Sequence, residues 1–114
     1  MTIKLLLASV LLFSMSNAIV VANAGRAPAS VRGVVTHRVS GCDYFVVETG
    51  NGYDLLEWFG GYDPDKGDVL VGEYESYGFH TVYVEQRERT LRAWTEDYDL
   101  SKSDALEQLA DNCE

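Results

Sequence analysis

Paired carboxylates are the residues of this chain whose types and spacing come closest to a catalytic arrangement. Glu48 and Glu57 lie on either side of a Gly50-Asn51-Gly52 hairpin signal, so that they could face each other across two strands. A glycosidase uses two such carboxylates several ångströms apart in a cleft that grips a sugar. With 18 acidic residues in a chain of 114, however, such pairs arise by chance. A carboxylate-based hydrolase is therefore only an alternative, and no catalytic residue is assigned.

Metal ligands are sparse in the sequence. The segment 63–68 (Asp-Pro-Asp-Lys-Gly-Asp) carries alternate carboxylates of the kind that can converge on calcium. It departs from the EF-hand pattern because Tyr74 stands where that pattern places a bidentate Glu, so we expect an ordinary Pro/Gly turn. For zinc, only His37 and His80 are present beside cysteines that are expected to be bridged. The sequence predicts no metal site and no cofactor.

The sequence also lacks a motif for nucleophilic catalysis. No Gly-x-Ser-x-Gly segment occurs in the chain. His37 falls on the same side of its predicted strand as Val35 and Val39, and His80 begins another strand. Each histidine is expected to be satisfied by a backbone partner, with a His37–His80 pair in space as the alternative.

Aromatic residues are the better indication of a binding surface. Trp58 and Phe59 are consecutive, so on a strand one of them packs in the core and the other faces outward. The segments 58–62 and 74–79 combine aromatic residues with glycine turns and acids, which suits a protein interface or sugar stacking. The alternative is that most of these rings simply pack the core and the underside of a helix. The candidate binding residues are Trp58, Tyr62, Tyr74, Tyr77, Glu57 and Glu75.

Residues 1–24 have the pattern of a signal peptide. Lys4 precedes an apolar run over residues 5–13, and Ala22-Asn23-Ala24 offers the small-x-small pattern of a cleavage site. Ala18 is a second candidate site, and an uncleaved membrane anchor is the rival interpretation. Residues 25–30 are expected to form a flexible segment before the fold. The sequence therefore predicts an exported bacterial protein, periplasmic or secreted, without a membrane association after cleavage.

The net charge narrows the classes of molecule that could be a partner. Removal of the leader with its single Lys4 leaves 8 Lys and Arg against 18 Asp and Glu, a net charge of −10. Such a surface repels phosphate backbones, so nucleic acid is a poor candidate, whereas a basic protein or a cation is favoured.

Cys42 and Cys113 are expected to form a disulfide, although an intermolecular bridge or two free thiols are alternatives.

Hydrophobic periodicity predicts six strands followed by one helix. The strands are expected at residues 31–39, 43–49, 53–59, 69–75, 79–85 and 90–98, with the sixth short or irregular. Ser101 and Asp104 have the spacing of a helix N-cap, and residues 101–113 carry an apolar face that includes Cys113. The predicted disulfide would then tie this helix to the turn between the first two strands.

Residues 31–98 resemble small barrels of the OB or SH3-like type. The resemblance is carried by Val31-Arg-Gly33-Val-Val35, by the hairpin at Gly52 and by the segment 66–72 (Lys-Gly-Asp-Val-Leu-Val-Gly). It implies a fold and no activity, because such barrels host many unrelated functions. The expected fold is mainly β, a five- to six-stranded antiparallel barrel in one domain over residues 31–114.

The sequence as a whole favours a non-enzymatic binding module. An acidic surface with aromatic anchors suits an inhibitor or partner of a basic envelope or extracellular protein, and a carbohydrate is the other candidate ligand. A structural envelope protein without a specific partner is a further alternative to the hydrolase. A monomer is expected.

Overall fold

The computed structural model describes residues 29–114, and the predicted signal peptide and most of the segment 25–30 lie outside this range. The described chain is mainly β, with a closed six-stranded antiparallel barrel and one C-terminal helix, which confirms the predicted fold class. The elements are β1 Val31–Arg38, β2 Tyr44–Thr49, β3 Gly52–Gly61, β4 Val69–Gly72, β5 Gly78–Val84, a 3-10 turn Glu85–Arg87, β6 Arg89–Leu100 and α1 Lys102–Asn112.

The strands close in the order β1-β2-β3-β6-β5-β4. The first three strands form a meander, and β4 returns after the connection 62–68 to pair with β1, which is a Greek-key arrangement. β5 and β6 then complete the circle, because β6 pairs with β3 on its other edge. The closing contact between β4 and β5 is short, with two residue pairs, Leu70 with Val84 and Val71 with Tyr83.

Alternate residues of the strands divide the apolar side chains between two cores. The barrel interior is filled by one cluster that includes Phe45, Val47 and Leu56. The intervening residues Val46 and Leu55 face outward and form a second cluster under the helix, with Ala105 and Leu109. The other buried members of the interior cluster are Val35, Leu70, Tyr74, Val82, Val84, Leu91 and Ala93.

The N-cap of the helix and the disulfide that links it to the barrel are as the sequence predicts. Ser101 is the N-cap, and its hydroxyl accepts a hydrogen bond of 3.1 Å from the amide of Asp104. A disulfide joins Cys113, directly after the helix, to Cys42 in the turn between β1 and β2, with 5.4 Å between the Cα atoms. The predicted pairing is therefore confirmed, and it holds α1 against β2 and β3.

Three local predictions are wrong, each for a structural reason. β4 ends at Gly72, because the chain bends there and directs Tyr74 into the barrel. β6 is not short but the longest strand, with 12 residues, since it pairs on both of its edges, although its pairing with β3 is irregular, as the alternative prediction had it. A bulge between Val35 and His37 shifts the register of β1, so His37 lies opposite the outward-facing Val46 rather than beside the interior residues.

Candidate functional site

The helix covers the outside of β2 and β3, and within residues 29–114 no other element covers the outside of β5 and β6. That uncovered surface is aromatic. Trp94 of β6 lies directly between Glu57 of β3 and Phe79 of β5 in the strand register, so three side chains form one row. We call this surface the aromatic face, and it comprises Phe59, Tyr77, Phe79, Trp94 and Tyr98.

Edge-to-face contacts fix the rings of the aromatic face in place. The ring centroids of Phe59 and Phe79 are 4.9 Å apart at 86°, and those of Phe79 and Trp94 are 4.9 Å apart at 77°. Tyr77 and Tyr98 form a separate pair at 5.0 Å. Phe59, Phe79 and Tyr77 are nevertheless 51%, 44% and 67% exposed. The rings therefore hold one another while keeping much of their apolar surface in water.

Charged groups border the aromatic face. The guanidinium carbon of Arg92 lies 4.6 Å from the centroid of Phe79, within the range of a cation–π contact. The hydroxyl of Tyr77 donates a hydrogen bond of 3.3 Å to Asp97, whose charge raises the pKa of Tyr77. At the helix side of the row, burial and the charge of Glu57 raise the pKa of Tyr44 to about 12. The border is therefore mainly acidic.

Only part of the predicted binding set lies at this face. Tyr77 belongs to it and Glu57 borders it, as the register shows. Trp58 points inward and packs against the barrel interior, where its indole nitrogen donates a hydrogen bond of 3.0 Å to the carbonyl of Tyr62. The ring of Tyr62 packs against the same interior, with Arg87 at 5.6 Å from its centroid. Trp58 and Tyr62 thus serve the barrel rather than the exposed face.

Tyr74 and Glu75 are also displaced from the predicted surface. Tyr74 is completely buried, and its hydroxyl donates a hydrogen bond of 3.0 Å to the carbonyl of Leu70. Tyr74 therefore cannot meet a partner, because the bend after Gly72 turns it inward. Glu75 lies instead among carboxylates at one end of the barrel.

That second cluster consists of Asp54, Glu75 and Asp99, which we call the carboxylate cluster. One oxygen from each of the three side chains lies within 4.8 Å of the other two. Asp54 faces the barrel interior, since it sits opposite Val47 and two residues before Leu56. The three residues reach this point from β3, from the loop after β4 and from the end of β6.

Hydrogen bonds hold the carboxylate cluster from both sides. Glu75 accepts bonds of 2.8 Å from the hydroxyl of Thr49 and 2.7 Å from the side-chain amide of Asn51, at the β2–β3 hairpin. The amide of Asp99 donates a bond of 3.0 Å to Oδ1 of Asp54. Gly52 permits this close approach, because a Cβ there would lie 2.7 Å from the carbonyl oxygen of Leu100.

The three carboxyl groups titrate differently because their surroundings differ. Burial raises the pKa of Asp54 to about 8, and the nearby charge of Glu75 adds to the effect against the opposing bond from the Asp99 amide. Burial acts on Glu75 too, but hydrogen bonds from Asn51, Asp54 and Thr49 outweigh it and lower the pKa of Glu75. Burial and the charge of Glu75 raise the pKa of Asp99. Asp54 is therefore the carboxyl group of the three whose protonated form is most strongly favoured.

Glu48 and Glu57, which the sequence allowed to face each other across the hairpin, do not do so. Glu48 lies opposite Tyr53, and Glu57 lies opposite Tyr44. The two glutamates are therefore separated by four residues along the ladder, about 13 Å.

The histidines and the segment 63–68 have structural partners. His80 Nε2 lies 2.8 Å from the carbonyl oxygen of Ser76, which confirms the predicted backbone partner. His37 instead has the hydroxyl of Thr36 at 2.9 Å from Nδ1, so for this histidine the predicted backbone partner is wrong. In the segment 63–68, Asp68 accepts a bond of 2.9 Å from the amide of Asp65, as in an ordinary turn.

Phe59, Phe79 and Trp94 were not among the predicted binding residues. The signal for Phe59 is present in the sequence, because an inward Trp58 requires its neighbour to face outward. Asp54 was missed as well, although period-two alternation puts it on the apolar side of β3 with Leu56. A carboxylate on an apolar face is a specific sign of a buried polar site.

Comparison with known proteins found no matching family model, no matching characterised protein and no matching solved structure. Over residues 29–114, no helix is long and apolar enough to cross a membrane. Two features of the molecule, the aromatic face and the carboxylate cluster, remain as the basis for inferring a function.

Proposed function

We propose that the protein is an exported, non-enzymatic interaction module that binds a basic protein through the aromatic face. The observation that carries this proposal is the row of mutually braced rings of Phe59, Phe79 and Trp94, in which Phe59 and Phe79 are exposed and Trp94 is half-buried. Rigid aromatic groups lose little conformational entropy on binding and recur as the anchors of protein interfaces.

The charge of the molecule favours a basic partner. The chain carries a formal net charge of −9, and acidic side chains such as Glu57 and Asp97 border the aromatic face. Complementary charge accelerates encounter and excludes acidic competitors, while the rings provide the buried contact. Cationic side chains of a partner also bind favourably over aromatic rings, as Arg92 already does over Phe79.

Two further observations support the proposal against its alternatives. The separation of Glu48 from Glu57 counts against this pair as the site of a carboxylate-based hydrolase. The disulfide between Cys42 and Cys113 is of the kind that persists in oxidising compartments, in agreement with an exported protein. A purely structural envelope protein offers no reason for an exposed aromatic surface of this kind.

Affinity capture from envelope and culture-medium extracts tests the proposal. The immobilised protein is expected to capture a basic protein at about 0.05 M salt and to release it at about 0.5 M salt, because screening weakens charge attraction between surfaces. The double variant Phe59→Ser/Phe79→Ser is expected to lose this protein, since both rings at the centre of the face are removed.

A matched control removes apolar side chains elsewhere on the barrel. Val34 and Val39 are 39% and 43% exposed at β1 and just beyond it, so Val34→Ser/Val39→Ser changes exposed apolar surface without touching the aromatic face. Capture must persist in this control. Capture that the Phe59→Ser/Phe79→Ser variant retains in full would refute the proposed face. Binding of an immobilised polysaccharide, with no protein captured, would assign the face to carbohydrate instead.

A further inference from the structure

We propose that Asp54, Glu75 and Asp99 form a calcium-binding site at the end of the barrel. This site is separate from the aromatic face, and the proposal does not depend on the proposed function. It rests on the convergence of the three carboxylates and on one buried oxygen that has no hydrogen-bond partner.

The donor atoms fit a hard cation. One oxygen of each carboxylate lies within 4.8 Å of the other two, a separation that a central ion with oxygen ligands at about 2.3–2.6 Å can bridge. The hydroxyl of Thr49 donates a hydrogen bond of 2.8 Å to Glu75 and helps to position this ligand. An all-oxygen site of this kind suits calcium, magnesium or manganese and not zinc, which favours nitrogen and sulfur.

The independent observation is the second oxygen of Asp54. The side chain is completely buried, and Oδ1 is occupied by the amide of Asp99. Oδ2 is buried and has no hydrogen-bond partner among the described residues. An unsatisfied buried carboxylate oxygen is costly, and native proteins normally supply it with a partner. A cation held jointly with Glu75 and Asp99 supplies that partner and also offsets the repulsion among the three groups.

Calcium fits better than magnesium because the ligands are fixed to the protein. Magnesium requires near-octahedral geometry and retains several waters, whereas calcium accepts irregular sets of carboxylate and carbonyl oxygens. The three ligands here come from three separate chain segments, and Gly52 and the hairpin hold them against one another. Without the ion, a proton on Asp54 relieves the same repulsion, and burial together with Glu75 keeps the pKa of Asp54 raised. Calcium and this proton therefore compete for the carboxylate of Asp54.

Thermal unfolding of the purified, EDTA-treated protein tests the site. At about pH 8 and about 5 mM CaCl2, we expect the Tm of the disulfide-bonded protein to rise by about 5–10 °C, because calcium binds the folded state only. Titration calorimetry should show one ion per chain with a Kd of about 10⁻⁴ to 10⁻³ M, the range of weak calcium modules.

Two substitutions each remove one charged ligand of the site, and a third removes the same charge outside it as a control. Asp54→Asn keeps the acceptor for the Asp99 amide but removes the charged ligand, so it is expected to abolish the shift. Glu75→Gln removes a second charged ligand, at a less buried position. Glu73→Gln removes the same charge two residues away, where the side chain is exposed, and should retain the full shift.

Three results would overturn the proposal. The first is the absence of any calcium-dependent change in Tm and in calorimetry for the unmodified protein. The second is an equal shift in Asp54→Asn, which would place the ion elsewhere on the acidic surface. The third is an equal shift with magnesium at the same concentration, which would overturn the assignment to calcium.

Discussion

Replacing Cys42 and Cys113 together by serine is expected to lower the free energy of unfolding by about 4 kcal/mol. The two residues are 71 positions apart, so the bridge closes most of the described chain into one loop and restricts the unfolded ensemble. In a domain of this size, such a loss corresponds to a fall in Tm of about 15–30 °C. Urea unfolding followed by circular dichroism measures the difference.

Reduction provides the matched control for this prediction. A thiol reductant should bring the unmodified protein down to the stability of the double serine variant, and it should leave that variant unchanged. The helix is expected to be the most affected element, because Ala105 and Leu109 cover Val46 and Leu55 only while α1 is held in place. A loss below about 1 kcal/mol would show that the cluster under the helix holds it without the bridge.

The second large effect is a fall in stability as the pH rises from about 4 to about 8. Folding raises the pKa of Asp54 from 3.8 to about 8, so across this window the folded state binds a proton that the unfolded state has released. The stabilisation that Asp54 contributes is complete below its pKa in the unfolded chain, and it is lost as the pH rises through its pKa in the folded protein. We expect the free energy of unfolding to fall by an amount on the order of 1–3 kcal/mol, the typical cost of leaving a buried polar group unsatisfied. Urea unfolding in calcium-free buffer at several pH values measures it.

Asp54→Asn is the test variant for this pH dependence. Its side-chain amide is permanently uncharged and can donate toward Glu75, while its oxygen still accepts the amide of Asp99. The variant should therefore match the unmodified protein at low pH and exceed its stability at high pH. Glu75 contributes in the opposite sense, since its lowered pKa makes stability rise with pH between that pKa and the ordinary value of 4.5. Asp99, whose pKa is raised by burial and by the charge of Glu75, contributes in the same sense as Asp54. Parallel pH curves for the two proteins would contradict the assignment to Asp54.

The barrel was predictable because its signals are local. Alternation in β2 and β3, the two-residue turn at Gly50 and Asn51, and the cap at Ser101 each act over a few residues. The disulfide was predictable for another reason, because Cys42 and Cys113 are the two cysteines of a chain with an export signal. The inward bend at Tyr74 was not predictable from local pattern, because Tyr74 is buried by packing among distant strands.

The candidate sites were less predictable because tertiary structure decides them. Which of Trp58 and Phe59 faces outward depends on the side of β3 that closes the barrel, and only the register settles it. The contact between Asp54 and Asp99 spans 45 residues. The position of the helix also decides which surface stays uncovered, since α1 packs against β2 and β3 and leaves Phe79 exposed.

Fluorine NMR of the protein labelled with 5-fluorotryptophan tests the central claim most directly. The chain has two tryptophans, and they report on two environments: Trp94 on the aromatic face and Trp58 packed against the interior. When the captured basic protein is added unlabelled, the Trp94 resonance should shift or broaden while the Trp58 resonance stays in place; Trp94→Phe assigns the two signals. Binding that leaves the Trp94 resonance unchanged would contradict the account, because the partner would then occupy another surface.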